Sequence, residues 1–127
     1  MVAYNFKSQF VAPIMAGTKR QTIRADRKRH ARPREPLQLY TGMRTRQCRL
    51  VGLAHCLAVE PISIDVDGQL ITLPGGVLEG RATLDLFALA DGFLDWPEMA
   101  QFWRDNHSGA PVFSGVLVRW FGFKPSP

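Results

Sequence analysis

The sequence has few acidic residues in its first part, few cysteines, and no long apolar stretch. It contains no run of about 18 apolar residues, so we expect no membrane-spanning helix. Its first ten residues lack a basic segment followed by an apolar one, and we therefore expect no secretory signal peptide. These absences favour a cytoplasmic protein.

The two cysteines, Cys48 and Cys56, predict reduced thiols rather than a disulfide framework. The three histidines are scattered, and neither a CxxC nor an HxxxH spacing occurs. His55 and Cys56 are neighbours on a predicted strand, so they point to opposite faces and cannot easily share a metal. We expect no metal and no other cofactor.

The scarcity of acidic residues is confined to residues 1–50, which carry twelve Lys and Arg against two Asp and Glu. Residues 51–127 reverse this balance, with four against nine. Since neither part is long enough to be a domain, the folded chain should present one strongly basic surface. A nucleic acid or nucleotide is the expected partner, RNA more than DNA, and not a membrane, because the basic residues lie on no amphipathic helix. A solvated charged loop without a specific partner is the alternative.

The length of 127 residues and the apolar content of 46% predict one domain over residues 1–124, with a short tail at 125–127. Alternating or apolar runs predict strands at 3–6, 20–24, 37–42, 47–60, 61–67, 69–74 and 111–123. Residues 25–36 are too charged and too rich in proline for the core and predict an exposed loop. The Asp67-Gly68 pair predicts a tight turn with positive φ.

Three helices are predicted. The first covers residues 11–16 and ends at Gly17. The second has Thr83 as its N-cap, apolar positions at Leu84, Phe87 and Leu89, and a stop at Gly92. The third begins after Asp95, with Glu98 at the capping-box spacing, and its stripe of Met99, Phe102 and Trp103 predicts core packing.

The order of these elements shows no βαβαβ alternation and predicts an α+β fold. We expect a small, mostly antiparallel β-barrel of five to six strands with two or three flanking helices. If residues 21–24 are extended, Thr22 and Arg24 share one face while Ile23 enters the core. Lys19 precedes this strand at a helix-to-strand corner and can lean over the same place. An amine, a hydroxyl and a guanidinium around one point predict an anion or nucleotide site.

Several segments resemble the ASCH domain, a family related to the PUA fold. "AGTKRQTIRADRK" resembles the family's signature, a helix that ends in Gly and is followed by Lys and by Thr-Ile-Arg on a strand. "LQLYTGMRTRQCRLVG", "LADGFLDWPEMAQFW" and "FSGVLVRWFGF" are similar to later parts of short bacterial and phage members. The resemblance covers nearly the whole chain, and it implies a PUA-like β-barrel with a cleft near the Lys-Thr-Ile-Arg strand.

The resemblance also implies a chemistry. The branch that removes the acetyl group from N4-acetylcytidine uses a Lys, Thr and Glu set, and Lys19 and Thr22 match its first two positions. Asp91 stands at the acidic position, one methylene shorter than Glu, and Glu79 is a less favoured substitute. Such a metal-independent amidohydrolase would attack the amide carbonyl with Thr22. Cleavage of an RNA backbone and binding without chemistry remain alternatives, as does a protein-interaction module.

Arginines and lysines around the strand at 20–24 predict phosphate contacts that position a nucleic acid without reading its sequence. Tyr40 could stack on a base, although packing within the sheet is the alternative. A second cluster, Arg44, Arg46 and Arg49, lies beside Tyr40, and we expect Arg44 and Arg46 to share strand parity and extend the same patch. The predicted nucleic-acid-binding residues are Arg20, Arg24, Arg27, Lys28, Arg29, Arg32, Arg34, Tyr40, Arg44 and Arg46.

Overall fold

The computed structural model describes residues 1–27, 29–107 and 112–127, and these form a sheet with helices beside it. A single 3-10 turn, Ser8–Phe10, leads into the first helix. The helices are α1 (Val11–Ala16), α2 (Arg81–Ala90) and α3 (Trp96–Asn106). The strands are β1 (Val2–Phe6), β2 (Gln21–Arg24), β3 (Pro36–Thr41), β4 (Arg49–Asp65), β5 (Leu70–Leu73), β6 (Gly76–Leu78) and β7 (Val112–Pro125).

The two long strands β4 and β7 organise the sheet. They pair antiparallel from Gly52–Pro125 to Asp65–Val112, with two bulges that increase the local twist, one with its extra residue in β7 between Phe121 and Lys124 and one with its extra residue in β4 at Leu57. On its other side β4 pairs with β3 and then with β5, which continues to β6. β2 pairs antiparallel with β7, and β1 pairs parallel with β3. The expected α+β class with a mostly antiparallel sheet and flanking helices is confirmed, with seven strands rather than five to six.

The prediction of two strands at 47–60 and 61–67 was wrong, because β4 runs without a break through Pro61. Pro61 lies opposite Val116 of β7. On the other side of β4, it falls between the residues that pair with β3, which end at His55, and those that pair with β5, which begin at Ser63. Proline has no backbone N–H to donate, but because Pro61 pairs with neither β3 nor β5, it interrupts the hydrogen bonds to neither of these two strands.

The first and third helices have the predicted ends. Gly17 follows α1 in the left-handed region, with φ of 82°. The Asp95 side chain accepts a hydrogen bond from the backbone N–H of Glu98, so it caps α3 as the capping-box spacing predicted.

The predictions for α2 were partly wrong. Its N-cap is Gly80, with φ of 84°, and Thr83 lies within the helix. Leu84 and Phe87 are buried as predicted, but Leu89 is 43% exposed and Ala88 takes the inward position. The backbone at Gly80 turns the chain into the helix earlier than a threonine cap would.

Two loops also differ from their predictions. Residues 25–36 are not wholly exposed, because Ala31 is buried and donates its N–H to the Tyr4 hydroxyl. In the turn before β5 the positive φ, 55°, falls on Gln69. A Cβ at Gly68 would contact the Asp65 carboxylate, which accepts a hydrogen bond from the Gly68 N–H, so that side chain would have to shift.

The chain end is held more firmly than a tail would be. β7 continues to Pro125, and the N–H of Ser126 donates to the Val51 carbonyl across a 2.9 Å hydrogen bond. Residues 125 and 126 therefore lie against β4, where the sequence predicted a short tail.

One continuous core joins the inner face of the sheet to all three helices. Its fully buried side chains include Leu37, Ile64 and Leu117 from strands and Leu84 and Met99 from helices. Both cysteines are free; Cys56 is buried on β4 and Cys48 is exposed. In the part of the chain that the structure describes, no helix is long and apolar enough to cross a membrane.

Candidate functional site

A cavity of about 400 Å³ opens where β1, β2 and the α2–α3 turn meet α3, and we call it the reactive cavity. One wall is polar and consists of Lys19, Thr22, Arg24 and Asp91. The aromatic part of the lining consists of Phe6, Phe10, Phe93, Phe102 and Trp103. Aromatic faces beside convergent polar groups are the usual lining of a small-molecule site.

Lys19 reaches this cavity from the corner between α1 and β2. The corner is tight because both Thr18 and Lys19 donate their N–H groups to the Pro13 carbonyl. The Lys19 side chain is only 3% exposed. Its Nζ donates to the Asp91 backbone carbonyl at 2.6 Å and lies 3.8 Å from Asp91 Oδ1.

Asp91 arrives from the opposite direction, at the C-cap of α2, and is 5% exposed. Its Oδ1 accepts a 3.4 Å hydrogen bond from Gln21 Nε2. Gly92 follows with φ of 98°, and a Cβ at that position would lie 2.8 Å from Lys19 Cδ. Only glycine therefore lets the chain turn so close to the Lys19 stem.

Burial moves the pKa values of both partners towards neutrality. It lowers the pKa of Lys19 from 10.5 to about 8, against the attraction of Asp91 and with help from the Arg24 charge. It raises the pKa of Asp91 from 3.8 to about 6, against the attraction of Lys19 and the hydrogen bond from Gln21. A neutral amine beside a carboxylate is thus accessible close to physiological pH.

Thr22 and Arg24 share one face of β2, as the alternation predicted. Arg24 Nε donates to Thr22 Oγ1 at 2.8 Å. A second nitrogen of Arg24 donates to the Asn5 carbonyl at 2.6 Å, and the guanidinium lies 4.9 Å from the Phe6 ring centroid. Burial lowers the pKa of Arg24 to about 10, so it stays protonated at neutral pH. Because Arg24 occupies a lone pair of the hydroxyl, the Thr22 proton is directed elsewhere.

The basic loop does not converge on the reactive cavity. Arg27 donates to the carbonyls of Arg29 and Ala3, and its guanidinium lies 4.7 Å from the Tyr4 ring centroid. Arg29 forms an ion pair with Glu35. Arg24 and Arg27 thus both bind main-chain carbonyls of β1, so they do not present free guanidinium groups to a phosphate.

The other predicted contacts are spread over the surface. Arg20 lines a different cavity, and Arg32 and Arg34 are exposed. Tyr40 alternates with the buried Leu39 and is half-buried on the outer face of β3. Lys28 lies outside the described residues.

The prediction that Arg44 and Arg46 share a strand was wrong. Both are exposed in the turn between β3 and β4, and Arg44 has a positive φ of 67°. This loop contacts β1, since the Met43 N–H donates to Asn5 Oδ1. Strand alternation therefore does not describe how these two side chains are arranged.

Sequence reasoning missed several residues of the site. Phe102 and Trp103 were predicted as core, yet both also line the reactive cavity. Gln21 was not singled out from the sequence, yet it is buried and its Nε2 donates to Asp91 Oδ1. The signal in the sequence for a buried polar cluster was the group of polar residues at the start of the strand, Lys19, Gln21 and Thr22.

A larger cavity of about 720 Å³ lies on the other side of Lys19 and Gln21, between α2 and β7. Its lining is mostly apolar, from Leu57, Leu86 and Phe121, and it does not include Thr22 or Asp91. The smaller cavity is the candidate site because its lining contains both Lys19 and Asp91. Within residues 1–27, 29–107 and 112–127, no three His, Cys, Asp or Glu side chains are grouped so that they could hold a metal ion.

No protein-family model matches this sequence, and no curated protein matches it. Solved structures do match. The ASCH protein from Zymomonas mobilis aligns with a TM-score of 0.57 and 17% identity over 97% of this chain and 68% of that chain. A tyrosine-to-phenylalanine variant of that protein aligns with a TM-score of 0.56 and 14% identity over 97% of this chain and 70% of that chain. The chain therefore has the fold of the ASCH domain, the family that its sequence resembles.

Proposed function

We propose that the reactive cavity binds a nucleoside or nucleotide and hydrolyses an amide on its base, of the kind found in N4-acetylcytidine. The observation that carries this proposal is the buried pair of Lys19 and Asp91, with pKa values of about 8 and 6, in the same cavity as the Thr22 hydroxyl. Titratable groups shifted towards neutrality inside a cleft are typical of catalytic sites.

The reaction divides into two steps. Thr22 Oγ1 attacks the amide carbonyl while neutral Lys19 takes the hydroxyl proton. The C–N bond then breaks, the Lys19 ammonium returns the proton to the leaving nitrogen, and cytidine departs from a threonine ester. Water, deprotonated by Lys19, attacks that ester and releases acetate and free Thr22.

The remaining residues of the cavity support this chemistry by position. The Arg24 guanidinium fixes the Thr22 hydroxyl through its 2.8 Å hydrogen bond. Asp91 holds the Lys19 amine, and its charge stabilises the ammonium that forms during the reaction. Phe10, Phe93 and Phe102 pack edge-to-face or tilted against one another, with centroids 5.3–5.5 Å apart, and they supply apolar contacts for a base in the cavity.

The test is acetate release from N4-acetylcytidine by the wild type, T22V and T22S. Valine keeps the shape of threonine and removes the nucleophile, so we expect at least a 1,000-fold loss. Serine keeps the hydroxyl and should retain activity within roughly tenfold. Full activity in T22V would exclude Thr22 as the nucleophile, and gel electrophoresis of single-stranded RNA incubated with the same proteins tests backbone cleavage.

RNA binding without chemistry is the second candidate, and the basic composition of residues 1–50 favours it. A Lys19→Ala substitution separates the two. It abolishes turnover if Lys19 is the base, whereas it weakens binding only modestly if Lys19 is one of many contacts. A protein-interaction module would show neither turnover nor RNA affinity.

A further inference from the structure

We propose that a neighbouring cavity is a phosphate subsite, so that the substrate is a nucleotide or an RNA strand rather than a free nucleoside. This cavity, about 650 Å³, lies between the 3-10 turn and the loop joining β3 to β4, and we call it the phosphate cavity. The inference rests on the proposed function, because it names the substrate class of the same site.

The phosphate cavity adjoins the reactive cavity. Asn5, Phe6 and Lys7, at the end of β1, line both. A ligand whose base lies among the aromatic rings of the reactive cavity can therefore extend past these residues. The group that follows a base in a nucleotide is a sugar that carries phosphate.

The lining of the phosphate cavity suits an anion. It combines neutral polar side chains with two cations, and none of its described lining residues is acidic. This contrasts with the reactive cavity, which contains Asp91. The polar and charged members of the lining are Asn5, Lys7, Ser8, Gln9, Thr41, Thr45, Gln47 and Arg49.

The two cations are available to an anionic ligand. Lys7 Nζ donates to Asn106 Oδ1 at 2.6 Å and lies 5.2 Å from the Phe102 ring centroid, so its described partners are neutral. Arg49 is exposed at the start of β4. Neither side chain forms an ion pair within the part of the chain that the structure describes.

Local hydrogen bonds hold the loop between β3 and β4 that lines the phosphate cavity. Thr45 Oγ1 donates to the Gly42 carbonyl at 2.6 Å and accepts from the Gln47 N–H at 3.1 Å. Met43 N–H ties the same loop to Asn5. A loop held by such bonds loses less entropy when a phosphate binds than a loop without them.

The experiment compares kcat/KM for N4-acetylcytidine, its 5′- and 3′-monophosphates, and a short RNA with one N4-acetylcytidine. The enzymes are the wild type, R49Q and R104Q. Arg104 lies on α3 and contacts Asp67, so R104Q removes the same charge away from the cavity. We expect the wild type to prefer one phosphorylated substrate about 10- to 100-fold, the strength of a charge-assisted contact. R49Q should bring that ratio close to one, and R104Q should preserve it.

Equal kcat/KM values of the wild type for nucleoside and phosphorylated substrates would overturn the subsite. So would a preference for the phosphorylated substrate that is unchanged in R49Q, or one that is lost in R104Q as much as in R49Q. A preference for the monophosphate alone assigns a free nucleotide, and a preference for the RNA assigns a strand. If no compound is turned over, the proposed function fails, and calorimetric titration with cytidine and the cytidine monophosphates then tests the subsite in the same proteins. Equal dissociation constants for all of these ligands would then reject it.

Discussion

At the scale of single residues, the Lys19–Asp91 pair determines the pH behaviour of the site. Lys19 acts as a base only when neutral, and burial places its pKa at about 8. Asp91 carries its negative charge above its pKa of about 6. The two groups are coupled, since each charge stabilises the other.

We predict that kcat/KM for the proposed amide rises with pH and levels off above about pH 8. In D91N the rise should move to lower pH, because the Asp91 charge no longer holds the pKa of Lys19 up. A pH-rate series on both proteins measures this shift. A bell-shaped profile with its maximum between pH 6 and 8 would instead identify Asp91 as the base and Lys19 as the acid.

The same carboxylate predicts a stability effect. Because its folded pKa is raised, the folded protein binds a proton at Asp91 more tightly than the unfolded chain does. The free energy of unfolding should therefore fall as pH rises from about 4 to 6, by up to about 3 kcal/mol for this group. D91N lacks that titration, so the wild type should lose stability relative to D91N over this range in urea titrations. A constant difference between the two proteins would show that Asp91 titrates at its ordinary pKa.

At the scale of elements, the site depends on two chain reversals, one after α1 and one after α2. Each ends in a glycine with positive φ, Gly17 at 82° and Gly92 at 98°. Only the second glycine touches the site, because a Cβ at Gly17 would meet nothing within 4 Å.

We therefore predict that Gly92→Ala reduces both stability and activity, whereas Gly17→Ala reduces stability alone. Each substitution carries the cost of a positive φ, about 1 kcal/mol. In Gly92→Ala the new methyl also displaces the Lys19 stem and the Phe10 ring, 2.8 and 3.1 Å away. Thermal unfolding and kcat/KM measured together check this. Equal loss of activity in both variants would mean that the Lys19 position does not depend on Gly92.

The sequence predicts those elements whose signals are local. The end of α1 at Gly17 and the cap of α3 at Asp95 follow from short patterns, and both are confirmed. Pro61 shows where local signals fail. Proline predicts the end of a strand, but β4 continues through it because it pairs with β7, whose residues come more than fifty positions later in the chain. The aromatic lining of the reactive cavity could not be predicted from the sequence either, since Phe10 and Phe93 come into contact only after folding.

At the scale of the whole molecule, the positive charge lies mainly outside the reactive cavity. Arg32, Arg34, Arg44 and Arg46 are exposed, while Arg24 and Arg27 are engaged with the main chain. The basic surface and the reactive cavity are therefore separate features. A positive surface attracts polyanions even where it does not adjoin the reactive cavity.

We predict that RNA affinity falls steeply with salt, with a log–log slope of about 0.7 for each single-stranded phosphate contact. The double variant R32Q/R34Q should lower that slope, whereas R81Q, whose arginine pairs with Asp85, should not. Filter binding between low and moderate salt measures the slopes. A flat titration for the wild type would remove RNA as a partner.

The two arginines that bind β1 have a consequence for self-association. A strand at the border of a sheet offers unpaired carbonyls on which another chain can build intermolecular sheet, the first step of aggregation. Here the Asn5 and Ala3 carbonyls already accept from Arg24 and Arg27. Arg24 and Arg27 thus leave these two carbonyls unavailable for strand addition, and a variant that lacks both guanidinium groups should aggregate during refolding at concentrations where the wild type stays dispersed.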